Sequence, residues 1–119
     1  MKDFRDLKVW EKAHQLTLSI YQSTISFPRD EQYGLTSQIR RAAVSVPANI
    51  AEGCGKNGDA ELARYFQIAM GSSSELEYEL VLAHDLHYLD DNKFNELLVS
   101  LVEVRRMLNT FIQKLRANR

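Results

Sequence analysis

Three histidines, a single cysteine and a run of three serines are the side chains best equipped for nucleophilic, acid–base or metal chemistry in this sequence. His84 and His87 stand three apart, with Asp85 between them and Asp90-Asp91 just beyond. On a helix, an i, i+3 pair can turn both imidazoles toward one metal ion. A metal site in a helical protein also draws ligands from a facing helix. The plainer reading is that these histidines finish a helix, where an imidazolium suits the negative end of the dipole. No metal and no cofactor is expected. Ser72-Ser73-Ser74 follow Gly71 and precede Glu75, Glu77 and Glu79. Nothing there makes the strained turn that exposes a serine nucleophile, so the small residues read as a place where another helix approaches closely. The three glutamates alternate around the helix and read as solvated, which leaves no carboxylate pair for hydrolysis. No catalytic residue and no small-molecule substrate is expected.

Gly53-Cys54-Gly55-Lys56-Asn57-Gly58 matches G-x-G-x-x-G letter for letter. In a dinucleotide fold those glycines follow a strand and let the backbone approach a pyrophosphate. Here a helical pattern precedes them and no strand pattern occurs anywhere, so the loop reads as a helix-to-helix connector.

Binding chemistry is left to the basic residues. Arg40, Arg41, Lys56 and Arg64 flank the glycine-bearing loop, and Arg105, Arg106, Lys114, Arg116 and Arg119 load the last segment. Phosphate binding requires such groups to converge on one face. Arg40 and Arg41 point about 100° apart on a helix. One is therefore expected to face solvent and the other an interhelical partner such as Glu52 or Glu75. A basic patch repeated around an oligomer makes Arg40, Arg41, Lys56, Arg64, Arg105, Arg106, Lys114 and Arg116 the candidates for contact with RNA or a nucleic-acid-associated protein. Charge is unevenly placed along the chain: residues 75–96 hold seven acids and one lysine, residues 97–119 five bases and one acid. If the last two helices pack side by side, these blocks are expected to neutralise each other in part.

The elements that must position these groups are helices, because the apolar period throughout is helical rather than alternating. Segment one covers about residues 6–26, with Leu7, Trp10, Ala13, His14, Thr17, Ile20, Tyr21 and Ile25 on one stripe and Asp3 or Asp6 as a cap. The loop Phe27-Pro28-Arg29-Asp30 ends it, since a residue before proline leaves the helical region. Segment two begins near residues 31–34 and carries Leu35, Ile39, Ala42, Ala43, Val46 and Ile50. Segment three follows the glycine-bearing loop, with Asp59 as its cap and a stripe of Leu62, Tyr65, Phe66, Ala69, Ser73, Leu76, Leu80, Ala83 and His87. Segment four follows Asp90-Asp91-Asn92, and its Phe94, Leu97, Leu101, Val104, Leu108, Phe111 and Leu115 keep the spacing of left-handed bundle packing. Short joins make neighbours antiparallel. The fold class is all-α, an antiparallel up-down-up-down four-helix bundle filling residues 1–119 as a single domain. Val9, Leu16 and Leu18 in segment one and Leu98, Val102 and Ile112 in segment four add a second apolar face, which suits packing against another chain.

A net charge of −1 gives no global attraction to nucleic acid or an anionic membrane. One cysteine permits no intrachain disulfide, and no apolar run reaches membrane-spanning length, so a cytoplasmic protein is expected. Pro47 lies inside segment two, within RRAAVSVPANIAEG. It lacks the N–H that would reach the carbonyl of Ala43, so a kink is expected there. Ser45 or Asn49 can satisfy the freed groups, and Ser45, Asn49, Glu52 and Glu75 form a candidate polar lock.

FRDLKVWEKAHQL, QYGLTSQIRRAAVSVPANIAEG and ARYFQIAMGSSSELEYELVLA, in that order, resemble the 23S rRNA intervening-sequence protein family of four-helix bundles. The family is named for the location of some members inside intervening sequences of large-subunit rRNA genes. The resemblance implies a homopentamer with bundles around a central channel, and it implies no catalytic residues. A related branch, the accessory proteins of diversity-generating retroelements, implies a basic pentamer working with a reverse transcriptase and nucleic acid. This chain departs from that branch in its mildly acidic balance.

Overall fold

The computed structural model describes residues 3–117, so Arg119 lies outside the described residues. A 3-10 turn at Phe4–Asp6 leads into α1 (Lys8–Thr24), and a second at Arg29–Glu31 precedes α2 (Leu35–Cys54). α3 (Asp59–Asp85) and α4 (Asp91–Ala117) follow, and no strand occurs among the described residues. Each helix packs on two neighbours in the cyclic order α1, α2, α3, α4. The chain is an up-down-up-down four-helix bundle 47 Å long and about 20 Å across.

Cross-seam contacts fix how the helices are set against one another. Ser45 reaches Ser72 between α2 and α3, Phe66 meets Phe111 between α3 and α4, and Lys12 pairs with Glu103 between α1 and α4. The helices are held by interdigitated rows: Ala13, Leu16 and Ile20 of α1, Ile39, Val46 and Ile50 of α2, Phe66, Leu76 and Leu80 of α3, and Leu101, Val104, Leu108 and Ile112 of α4 are all buried. Fully burying each large aliphatic or aromatic contributes about 1.5–3 kcal/mol, which is what holds segments this long together.

The rows correct several stripe assignments. Val9, Leu16 and Ile112, expected on a second face, lie in the core, whereas Tyr21, Ile25 and His87 are exposed. Of the doubled apolar faces only Leu18 and Val102 remain exposed, with Leu98 half-buried. The reason is geometric: α1 and α4 each touch two helices, so one broad stripe absorbs both sets of residues.

The caps also differ from expectation. Asp3 accepts the backbone N–H of Arg5 and so caps the short turn rather than α1, and Gly58, at φ 89°, rather than Asp59 precedes α3. Asp90 accepts from the N–H of Lys93 and opens α4. At the end of α3, Tyr88 N–H bonds to Ala83 O and His87 N–H to His84 O, with His87 at φ 66°. This is the two-bond C-terminal motif that usually places glycine where His87 stands. The other end of α2 is closed by Glu31, whose Oε1 accepts the N–H of Leu35 at 3.1 Å while Oε2 accepts the Tyr88 hydroxyl at 2.9 Å. A Cβ at Gly34 would stand 2.8 Å from that carboxylate oxygen, so a larger residue there would push the Glu31 side chain off its cap.

Candidate nucleic-acid interface

Antiparallel packing decides which charges share an end of the bundle. The start of α1, the α2–α3 loop and the end of α4 share one end; the α1–α2 and α3–α4 connections share the other. The bases of α4, Arg105 to Arg116, therefore run beside the first half of α3, and only the base-free stretch of residues 97 to about 102 lies beside the acidic block of residues 75–96. The expected mutual neutralisation of the two blocks reduces to one seam contact, Arg105 Nη2 to Glu77 Oε1 at 2.6 Å. Lys56, Arg64, Lys114 and Arg116 gather at the first end, all exposed and joined there by the exposed Glu52 and Asp59, while the exposed Arg106 lies near mid-height on α4. Asp30, Asp85, Asp90, Asp91 and Glu96 gather at the opposite end, also exposed. Among the described residues Lys56, Arg106, Lys114 and Arg116 enter no ion pair. Arg64 is held by Glu61 through two contacts of 3.0 and 3.3 Å, and this pairing raises the arginine and lowers the glutamate pKa. Arg64 and Lys56 both stand over the Tyr65 ring, at 4.6 and 5.6 Å from its centre.

The remaining candidates lie elsewhere. Arg40 is half-buried between α1 and α2, where Nε donates to Thr24 Oγ1 at 2.9 Å, Nη2 donates to Tyr21 O, and the guanidinium covers the Tyr21 ring. Arg41 is exposed. One arginine of the pair does face a neighbouring helix, but its partners are on α1 rather than Glu52 or Glu75. Arg105 is enclosed in the α3–α4 seam, where it donates to Ser73 Oγ and Ser73 O as well as pairing with Glu77. Arg40 and Arg105 thus serve packing, and the basic end draws on the other residues.

The polar lock is built from different partners than expected. Ser45 Oγ meets Ser72 Oγ at 2.7 Å, and Asn49 Nδ2 donates to Ser45 O and Oγ at 2.8 and 3.0 Å. Glu52 and Glu75 are exposed and stand outside it. α2 continues through Pro47, and the carbonyl of Ala43 that Pro47 cannot serve is met by Thr17 Oγ1 from α1 at 3.0 Å. The same hydroxyl lies 2.9 Å from Ala13 O, so one proton is shared between two helices. A threonine on the α1 stripe was the available signal, but its partner depends on which helix faces Pro47.

The glycine-bearing loop acts as the connector anticipated. A Cβ on Gly53 would sit 2.9 Å from Tyr65 Cβ, so this glycine lets α2 and α3 close on each other at their join. Of Gly71 and the serines, where a close helix approach was expected, Gly71 has open space around it and the approach occurs at Ser72 and Ser73.

With the geometry in place, comparison with known proteins is informative. The family model described as 23S rRNA-intervening sequence protein matches residues 5–110. The chain belongs to this family. Among solved structures, it is similar to a protein of unknown function from the S23 ribosomal protein family of Bacteroides thetaiotaomicron. The two share 22% identity and a TM-score of 0.79, over 87% of this chain and 97% of the other. That likeness shows the fold. No curated protein matches the chain.

Two further groups in this 23S rRNA-intervening sequence family member bear on chemistry. His84 stacks on Phe94 at 4.4 Å and its Nε2 meets Asp91 Oδ1 at 2.6 Å, tying α3 to α4, while His87 serves the turn. The sequence also contains one Glu-x-x-His pair, Glu11 and His14, and the His14 ring stacks on Trp10 at 4.9 Å. No group of three metal-capable side chains occurs among the described residues. The second group is Glu79, expected in solvent but only 4% exposed. It lies seven residues beyond Ser72 and so faces α2. Its Oε1 has no hydrogen-bond partner among the described residues. Burial, then the neighbouring Glu75 carboxyl, push its pKa up to about 7. No helix among the described residues is long and apolar enough to cross a membrane.

Proposed function

We propose that this 23S rRNA-intervening sequence family member is a non-enzymatic, self-assembling cytoplasmic bundle, a homopentamer, that associates with RNA or a ribonucleoprotein through its basic end. The observation that carries the reading is a set of exposed cations: Lys56, Arg64, Lys114 and Arg116 share one end of the bundle, Arg106 stands two turns before Lys114 on the same helix, and among the described residues all of them but Arg64 are outside ion pairs. A chain of net charge −1 thereby presents a local positive surface, which assembly into a ring would multiply. The test is RNA binding across a salt series. Four neutralised phosphates per chain would give a slope of log affinity against log salt near −3, on the basis of roughly −0.7 per contact for single strands. Absence of binding at low salt refutes the RNA association, and a monomer mass by light scattering at micromolar concentration refutes the assembly.

A second reading, an oligomeric scaffold that recruits a protein, is favoured by the exposed apolar side chains Leu18, Val99 and Val102 on α1 and α4. It predicts assembly without any RNA affinity.

A further inference from the structure

The last turns of α4 carry a groove with no α1 residue beside it. The Lys12–Glu103 pair sets Met107 level with Lys8, the first residue of α1. The turn ahead of α1 packs on α1 and α2 rather than α4. α4 nevertheless continues to Ala117, so among the described residues its α1-facing side is uncovered beyond that level. The space left is a groove of about 510 Å³ lined by Arg106, Met107, Thr110, Phe111 and Lys114. Met107 and Phe111 form its half-buried apolar floor. The Phe111 ring is braced from behind by Phe66, with centres 5.1 Å apart and planes inclined at 59°. Arg106 and Lys114 stand exposed on the rim, eight residues apart, or roughly 12 Å along the helix. Thr110 between them donates to Arg106 O, and no carboxylate among the described residues lines the groove.

An apolar floor does not by itself choose an occupant, but this rim does. Two cations flanking an aromatic floor complement a polyanion that can also present a flat apolar face. Single-stranded RNA has that combination, because its unstacked bases are available to aromatic side chains while its phosphates meet the cations. A duplex keeps its base faces stacked and offers only phosphate and groove edges. We infer that this groove binds single-stranded RNA, seating a base on Phe111 and Met107 with neighbouring phosphates on Arg106 and Lys114. The inference rests on the RNA reading above and specifies both the form of RNA and the residues that hold it.

The test is fluorescence anisotropy on the full chain at low salt, with a labelled single-stranded oligonucleotide and the same sequence annealed into a duplex. The single strand should bind at least tenfold more tightly. Phe111→Leu, which keeps an apolar side chain but removes the ring, should weaken single-strand binding about tenfold, within the range for one lost stacking contact, and leave duplex binding unchanged. Thr110→Glu, at an exposed position that does not contribute to the core, should weaken it by at least as much and keeps the test valid if Phe111→Leu fails to fold. Thermal melts by circular dichroism verify folding. Equal affinity for both RNA forms overturns the groove, as do two folded variants with unchanged single-strand affinity. If Arg106→Glu still weakens binding in those cases, the RNA reading stands without the groove. A change in oligomeric mass on Phe111→Leu with RNA affinity intact would make this a self-association surface and likewise overturn it. Binding of neither RNA form sinks both readings.

Discussion

Replacing Glu79 with Gln should remove a stability loss that the native chain undergoes near neutral pH. Glu79 is buried on the α2-facing side of α3, its Oε1 is unpartnered, and its carboxyl is held at about 7 by burial and by Glu75. Gln38 lies level with it across the seam, seven residues before Ser45, and Arg41 on the next turn is exposed and in no ion pair among the described residues, so no cation offsets the charge. In the unfolded chain this side chain titrates at its ordinary value of 4.5. Because the folded value is the higher, folding takes up a proton between the two. The contribution to stability is fully present below about 4.5 and is lost as pH rises through about 7. At 1.36 kcal/mol per unit, the loss approaches roughly 3 kcal/mol by pH 8, an upper limit because Glu75 shares the titration. Urea unfolding followed by circular dichroism at pH 4, 5, 6, 7 and 8 measures it. Glu79→Gln should match the native chain at pH 4, exceed it increasingly from pH 5 to pH 7, and keep a nearly constant lead above that. Glu75→Gln should recover a smaller part, since burial is the larger cause. Parallel stability curves for the native chain and Glu79→Gln would refute the reasoning.

Other parts of the fold make equally direct predictions. His87→Gly should stabilise the protein by about 1 kcal/mol, because glycine adopts φ 66° without the Cβ conflict; a rise in Tm of about 4 °C is the readout. Thr17→Val should destabilise it by about 1–2 kcal/mol by orphaning Ala43 O beside Pro47. In a Pro47→Ala background, where residue 47 regains its N–H, the same substitution should cost less, and equal losses in a double-mutant cycle would show that Thr17 does not serve that carbonyl.

How much was legible in the sequence follows from what periodicity encodes. A 3.6-residue apolar repeat specifies that a helix forms and which side is covered, so Ile39, Val46, Ile50, Leu101 and Leu108 were identifiable as core residues from spacing alone. Short joins then dictate antiparallel neighbours, and the bundle follows. Periodicity names no partner. Whether Val9, Leu16 and Ile112 belong to a second face or to a broad first one depends on how many helices flank α1 and α4. Glu79 follows a polar-looking Glu-x-Glu-x-Glu pattern, yet it enters the α2–α3 seam because its position seven residues after Ser72 returns it to the same face.

The sequence by itself therefore determined the class of element, the number of helices and their alternating direction, because local backbone preference and apolar spacing act within single segments. The tertiary structure alone decided which side chains meet. It gave Thr17 to the carbonyl freed by Pro47, turned Arg40 to α1, and enclosed Arg105 beside Glu77. It also drew Lys56, Lys114 and Arg116 to one end of the bundle, away from Asp85, Asp90 and Asp91. The physical reason is that antiparallel packing aligns residues by their height along the bundle, so groups separated by sixty positions become neighbours while adjoining charge blocks part to opposite ends.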